Sequence, residues 1–190
     1  MPAPREPSIH TLAPDVLRRA REGDRTGFAQ LVELYYPRAL RFARAMLGDP
    51  RDAEEAVQDT FVRVFDNLGR FRGDEAFDPW FFRILGNRCR TLAGKRKRHH
   101  ALIDYTPILP ETVSDSNITL PDEAFVRRVY AALADLPAEQ REAFLLRHVN
   151  DLDYDEMTTV TGARGSTLRM RVKRAVDALR VRLSDGGARE

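Results

Sequence analysis

The sequence predicts an all-α chain of two small helical domains joined by a flexible linker. Three observations carry this. Apolar residues recur at spacings of three and four, as in Leu168, Val172, Ala175, Val176, Leu179 and Leu183, the period of one helical face. Alternating β-branched runs with Asn-Gly turns, the mark of strands, are absent. Residues 101–121, ALIDYTPILPETVSDSNITLP, hold three prolines and several Ser, Thr and Asp, a composition that interrupts helices and divides the chain. The expected division is a flexible tail over 1–14, a first domain over 15–100, the linker 101–121, a second domain over 122–184 and a short tail over 185–190.

The first helix is expected from Asp15 to Glu22, stopping at Gly23. Asp24 caps a second through Tyr36, with Phe28, Leu31, Val32 and Tyr35 on one side. Pro37 is expected to start a new segment that ends at Gly48. Asp49 and Pro50 then open a helix whose buried stripe is Val57, Phe61, Val64, Phe65 and Leu68. Asp52, Glu54, Glu55 and Asp59 crowd its N-terminal half. Acids there complement the helix dipole, or they form a docking face for a basic partner.

Residues 69–77, GRFRGDEAF, read as a loop, and Asp78-Pro79 restarts a helix. Trp80, Phe81, Phe82, Ile84 and Leu85 supply its apolar face. Aromatics beside Arg70, Arg72, Asn87, Arg88 and Arg90 are also what single-stranded DNA binding needs, since bases stack on rings while cations hold phosphates. The run Lys95, Arg96, Lys97, Arg98 is too basic for a core and fits a backbone contact.

In the second half, Phe125, Val129 and Leu133 mark one helix and Pro137 opens the next, PAEQREAFLLRHVND. Asp153 and Glu156 make a capping-box pattern, and Gly162 a turn. The last helix carries Arg169, Arg171, Lys173, Arg174, Arg180 and Arg182 against the single acid Asp177. A helix-turn-helix lays such a second helix in the major groove, where the arginine fork bonds a guanine edge or a phosphate in two places.

Composition narrows the classes. The net charge is only +2, yet residues 83–100 hold seven Lys/Arg and no acid, while 49–66 hold six Asp/Glu. Such segregation implies separate partners for separate faces, one of them polyanionic. The single cysteine, Cys89, excludes an internal disulfide and a cysteine-cluster metal site. His99 and His100 lack a third ligand at a useful spacing. No apolar run reaches the roughly 18 residues of a membrane span, and the N-terminus lacks a signal core. A cytoplasmic protein without catalytic residues, metal, cofactor or membrane insertion is expected.

With both halves in view, the chain resembles the extracytoplasmic-function sigma factors of bacterial RNA polymerase. The run from DAEEAVQDTF to GKRKR is similar to their domain 2, and the run from LADLPAEQRE to KRAVDALR is similar to their domain 4. The resemblance implies that Asp52, Glu55, Gln58 and Asp59 dock on the clamp helices of the polymerase's largest subunit. It assigns Arg70, Phe71, Arg72, Trp80, Asn87 and Arg88 to opening the −10 element and holding a flipped base, with Lys95, Arg96, Lys97 and Arg98 along the duplex. It makes Ser166, Thr167, Arg169, Arg171, Lys173 and Arg174 the −35 reader in promoter DNA; Arg174 and Arg180 alternatively meet phosphates or the polymerase flap. A controlling anti-sigma factor is a further expectation. Departures are Asp78-Pro79 where the family has Arg/Lys-Thr, Thr158 where it prefers Ala, and Arg164-Gly165 in place of Ser-Val. The alternative function is a helix-turn-helix repressor or activator that does not act as a polymerase subunit. An enzyme class has no supporting motif.

Overall fold

The computed structural model describes residues 13–71, 76–100 and 123–185, and of 97–100, 123 and 185 the backbone alone. Residues 1–12 of the expected tail over 1–14, the whole expected linker 101–121, Arg72 and the side chains of Lys97 and Arg98 lie outside the described residues. Among those described, every regular element is helical.

The first half holds α1 (Pro14–Arg21), α2 (Arg25–Leu47), α3 (Pro50–Leu68) and α4 (Phe77–His100). Asp24 accepts from the backbone N–H groups of Thr26 and Gly27, and Asp49 from those of Arg51 and Asp52, so each cap satisfies orphan donors at a helix start. The expected break at Pro37 does not occur, and α2 runs through it. Proline inside a helix costs about 3 kcal/mol. The turn that follows offsets this by burying Ala39, Leu40, Phe42 and Ala43. Phe65 also departs from expectation. It is 59% exposed, while Val57, Phe61, Val64 and Leu68 are buried. It lies at the edge of the stripe, in an edge-to-face pair with Phe28, centroids 5.1 Å apart.

The second half holds α5 (Glu123–Ala134), α6 (Ala138–Phe144), α7 (Tyr154–Thr161) and α8 (Gly165–Asp185). The expected single helix after Pro137 widens into a π-helical turn over Leu145–Val149. The Asn150 amide donates to the Leu145 carbonyl at 3.1 Å and Leu152 N–H to that of Leu146 at 3.0 Å. Asp151, at φ 60, makes the left-handed step that returns Leu152 to the core, a conformation Asp tolerates better than most residues.

The two halves share one continuous core. Helix α4 packs on α7, and α2 on α5 and α6. Among the described residues, polar clasps at Arg38, Arg141 and Arg90 cross this boundary. The Arg38 guanidinium, only 5% exposed, lies over the Tyr35 and Phe82 rings. It donates to the Asp78 carboxylate at 2.8 Å and to the Asn150 carbonyl at 3.4 Å. The Tyr35 hydroxyl donates to the same Asp78. Arg141 donates to the carbonyls of Ala45 (3.3 Å) and Met46 (2.9 Å) at the end of α2, and to Leu136 in its own half (3.0 Å). Arg90 of α4 pairs with the buried Glu142 of α6.

Candidate promoter and polymerase interfaces

The helix-turn-helix is built from caps. The Asp153 carboxylate accepts from the N–H groups of Asp155 and Glu156, and the Glu156 carboxylate accepts from Asp153 N–H at 2.7 Å. Gly162, at φ 71, ends α7 in the left-handed conformation that a side chain would strain. Helix α8 then buries Leu168, Val172, Ala175 and Leu179. Ser166, Thr167, Arg169, Lys173 and Arg174 are exposed. Arg171 is not presented like them. It is 24% exposed and paired with Glu139 of α6. Arg169 lies over the Tyr154 ring, 5.1 Å from its centroid. Met170, 54% exposed, stands with Ser166, Lys173 and Arg174 on the outward face. Sequence reasoning passed over it because it looked for charge.

The first-half site is a cleft of about 310 Å³ between α3 and α4. Arg63 and Asn67 line it from α3, and Trp80, Ile84, Asn87, Arg88 and Thr91 from α4. Three expected −10 residues, Trp80, Asn87 and Arg88, therefore meet at one opening. The Asn87 side-chain oxygen accepts from Arg90, which ties the cleft to the Arg90–Glu142 clasp. Phe71 and Trp80, expected as stacking rings, are 4% and 8% exposed. Their centroids lie 5.0 Å apart and each packs on Phe77. A cluster of this kind is a wall, with little more than an edge to offer a base.

The acidic face of α3 meets the same cleft. Arg88 donates to Glu55 at 2.7 Å and pairs with Asp59 at 2.6 Å. Arg96 pairs with Asp49 at 3.6 Å and Asp52 at 3.4 Å. Burial and the neighbouring Asp49 hold the Asp52 carboxyl above the usual carboxylate range, with Glu55 adding to both, and Arg96 only partly offsets them. Residues expected to dock polymerase and a residue expected to hold DNA thus neutralise each other. The outward strip of α3 that remains is Gln58, Val62, Phe65 and Asp66, with Val62 61% exposed.

Residues 31–99 match the family Sigma-70 region 2, and residues 127–179 match Sigma-70, region 4. The chain is 29% identical to the RNA polymerase sigma-H factor of Pseudomonas aeruginosa, covering 86% of this chain and 90% of that one. It is 24% identical to the ECF RNA polymerase sigma factor SigW of Bacillus subtilis, covering 89% and 95%. Among solved structures, the sigma factor RpoE of Bartonella quintana, in complex with the anti-sigma factor NepR, superposes with a TM-score of 0.72 at 27% identity, covering 83% and 96%. The chain belongs to the extracytoplasmic-function sigma factors.

The structure of this sigma factor also gives its Asp78-Pro79 departure a role, since Asp78 is the counter-charge of the buried Arg38. Sequence reasoning missed Arg38, Arg141 and Glu142. Each bonds a partner between 40 and 112 residues away, a distance at which no local pattern gives a signal. The same reasoning noted Asp78 without finding its partner. No helix among the described residues is long and apolar enough to cross a membrane.

Proposed function

We propose that this sigma factor, acting in the cytoplasm, docks on core RNA polymerase through the outward strip of α3, opens the −10 element at the α3–α4 cleft and reads the −35 element with α8. The domain limits 15–100 and 122–184 go with that reading. The observation that carries it is the convergence of Trp80, Asn87 and Arg88 on one cleft in a chain whose last helix exposes Ser166, Thr167, Lys173 and Arg174. Opening duplex costs about 1.4 kcal/mol of stacking per step. A factor with no energy source of its own offsets this only by holding the open form, and a cleft beside an amide and a guanidinium can receive a flipped base.

The closed form must then part. The −35 and −10 elements lie about 25 base pairs apart, roughly 85 Å of duplex. A compact chain of 190 residues has a radius of gyration of about 16 Å. The 22 residues between α4 and α5, 101–122, reach about 75 Å when fully extended. An anti-sigma factor that favours the closed form would silence the protein. The relative solved with NepR supports such a partner here.

Run-off transcription with core enzyme on genomic DNA tests the proposal. Defined start sites that depend on the added chain are expected. Core enzyme that gains no start-site preference from the purified chain removes the reading.

A further inference from the structure

We propose that Met170 reads a thymine methyl group in the −35 element. The inference rests on α8 being the −35 helix and adds which chemistry one position of that helix can recognise.

At 100° per residue, Met170 lies about 200° round the helix from Leu168, which is fully buried, so it points away from the core. Its neighbours along the chain are turned aside and fastened. Arg169 lies over the Tyr154 ring, and Arg171 pairs with Glu139. The centre of the outward face is thus an apolar side chain, 54% exposed. Ser166 lies one turn before it, and Lys173 and Arg174 one turn after, all exposed.

A polar rim around an apolar centre matches the major groove at one kind of base pair. Donors and acceptors line every pair there, but only thymine adds an apolar group, its C5-methyl. The unbranched thioether has three rotatable bonds and adapts to that small target. Lys173, Arg174 and Ser166 can hold phosphates and neighbouring edges while Met170 covers the methyl. The alternative is that Met170 is exposed without any base contact.

The test uses holoenzyme assembled from core polymerase and the full chain, on a promoter located by start-site mapping. Each −35 thymine, on either strand, is replaced singly by deoxyuridine, which removes only the methyl. One position should weaken the wild-type holoenzyme by about fourfold, the return on burying one methyl. Met170→Ala should bind the thymine and deoxyuridine forms of that position equally, and Met170→Leu should restore the difference. Exposure of Met170 means that all three proteins should unfold alike. Equal responses of wild type and Met170→Ala at every position overturn the proposal, as does a −35 element with no thymine. Base-pair substitutions in the −35 element that leave wild-type binding unchanged overturn the α8 reading itself, which is a different result.

Discussion

Arg38 illustrates how one buried charge organises its surroundings. Arg38 is 5% exposed and its counter-charge Asp78 34% exposed, so truncating Asp78 leaves a largely buried guanidinium without its carboxylate. Breaking a fully buried pair costs about 3–5 kcal/mol, and the partial exposure here lowers the expected loss for Asp78→Ala to about 2–3 kcal/mol. Denaturant unfolding measures it. Glu142 presents the opposite balance. Burial raises its carboxyl above the ordinary range, and the Arg90 guanidinium only partly offsets this. The folded chain therefore holds that proton more tightly than the unfolded chain does. Stability should fall as pH climbs from the ordinary carboxylate value to the raised one, and Asp52, also raised, contributes with the same sign. Glu142→Gln should flatten this slope, seen in unfolding curves taken upward in pH from the ordinary carboxylate value. An unaltered slope would mean that Glu142 titrates normally.

At the scale of elements, α7 is short, eight residues, and depends on its ends. Loss of the capping box in Asp153→Ala should cost about 1 kcal/mol. The loss should appear in thermal unfolding and leave the α8 surface chemistry intact. On α3, the expected docking residues Glu55 and Asp59 hold Arg88, so changing them also disturbs the cleft. Val62 makes a cleaner probe. It is 61% exposed on the same face. Val62→Lys should leave stability unchanged and weaken core polymerase binding about tenfold if this strip is the centre of the interface. Unchanged affinity in a competition assay would move the docking surface elsewhere.

At the scale of the molecule, the halves approach closely at Gly86. A Cβ there would lie 2.9 Å from the Glu142 carboxylate oxygen and 3.4 Å from the Arg90 guanidinium. Those are flexible ends that can yield to an alanine. A leucine has no such room, because α4 also packs on α7. Gly86→Leu should therefore part the halves, raising the radius of gyration in small-angle scattering while helical content stays constant. A scattering curve identical to that of wild type would mean that the interface accommodates the side chain.

Helix identity, the caps at Asp24, Asp49 and Asp153, the turn at Gly162 and the inward face of α8 were legible in the sequence, because each depends on residues within four or five positions of one another. So were the two halves and the family they resemble, through local motifs in a fixed order. Tertiary structure alone decided that α2 passes through Pro37, that Phe65 faces out, that Arg171 belongs to Glu139, and that Arg88 sits between Glu55 and Asp59. It also decided that Asp78 answers Arg38 and that the two halves close on each other at Gly86. Charges pair and surfaces are buried according to distance in space. A chain read one turn at a time carries no record of which distant carboxylate, carbonyl or apolar face will arrive beside it.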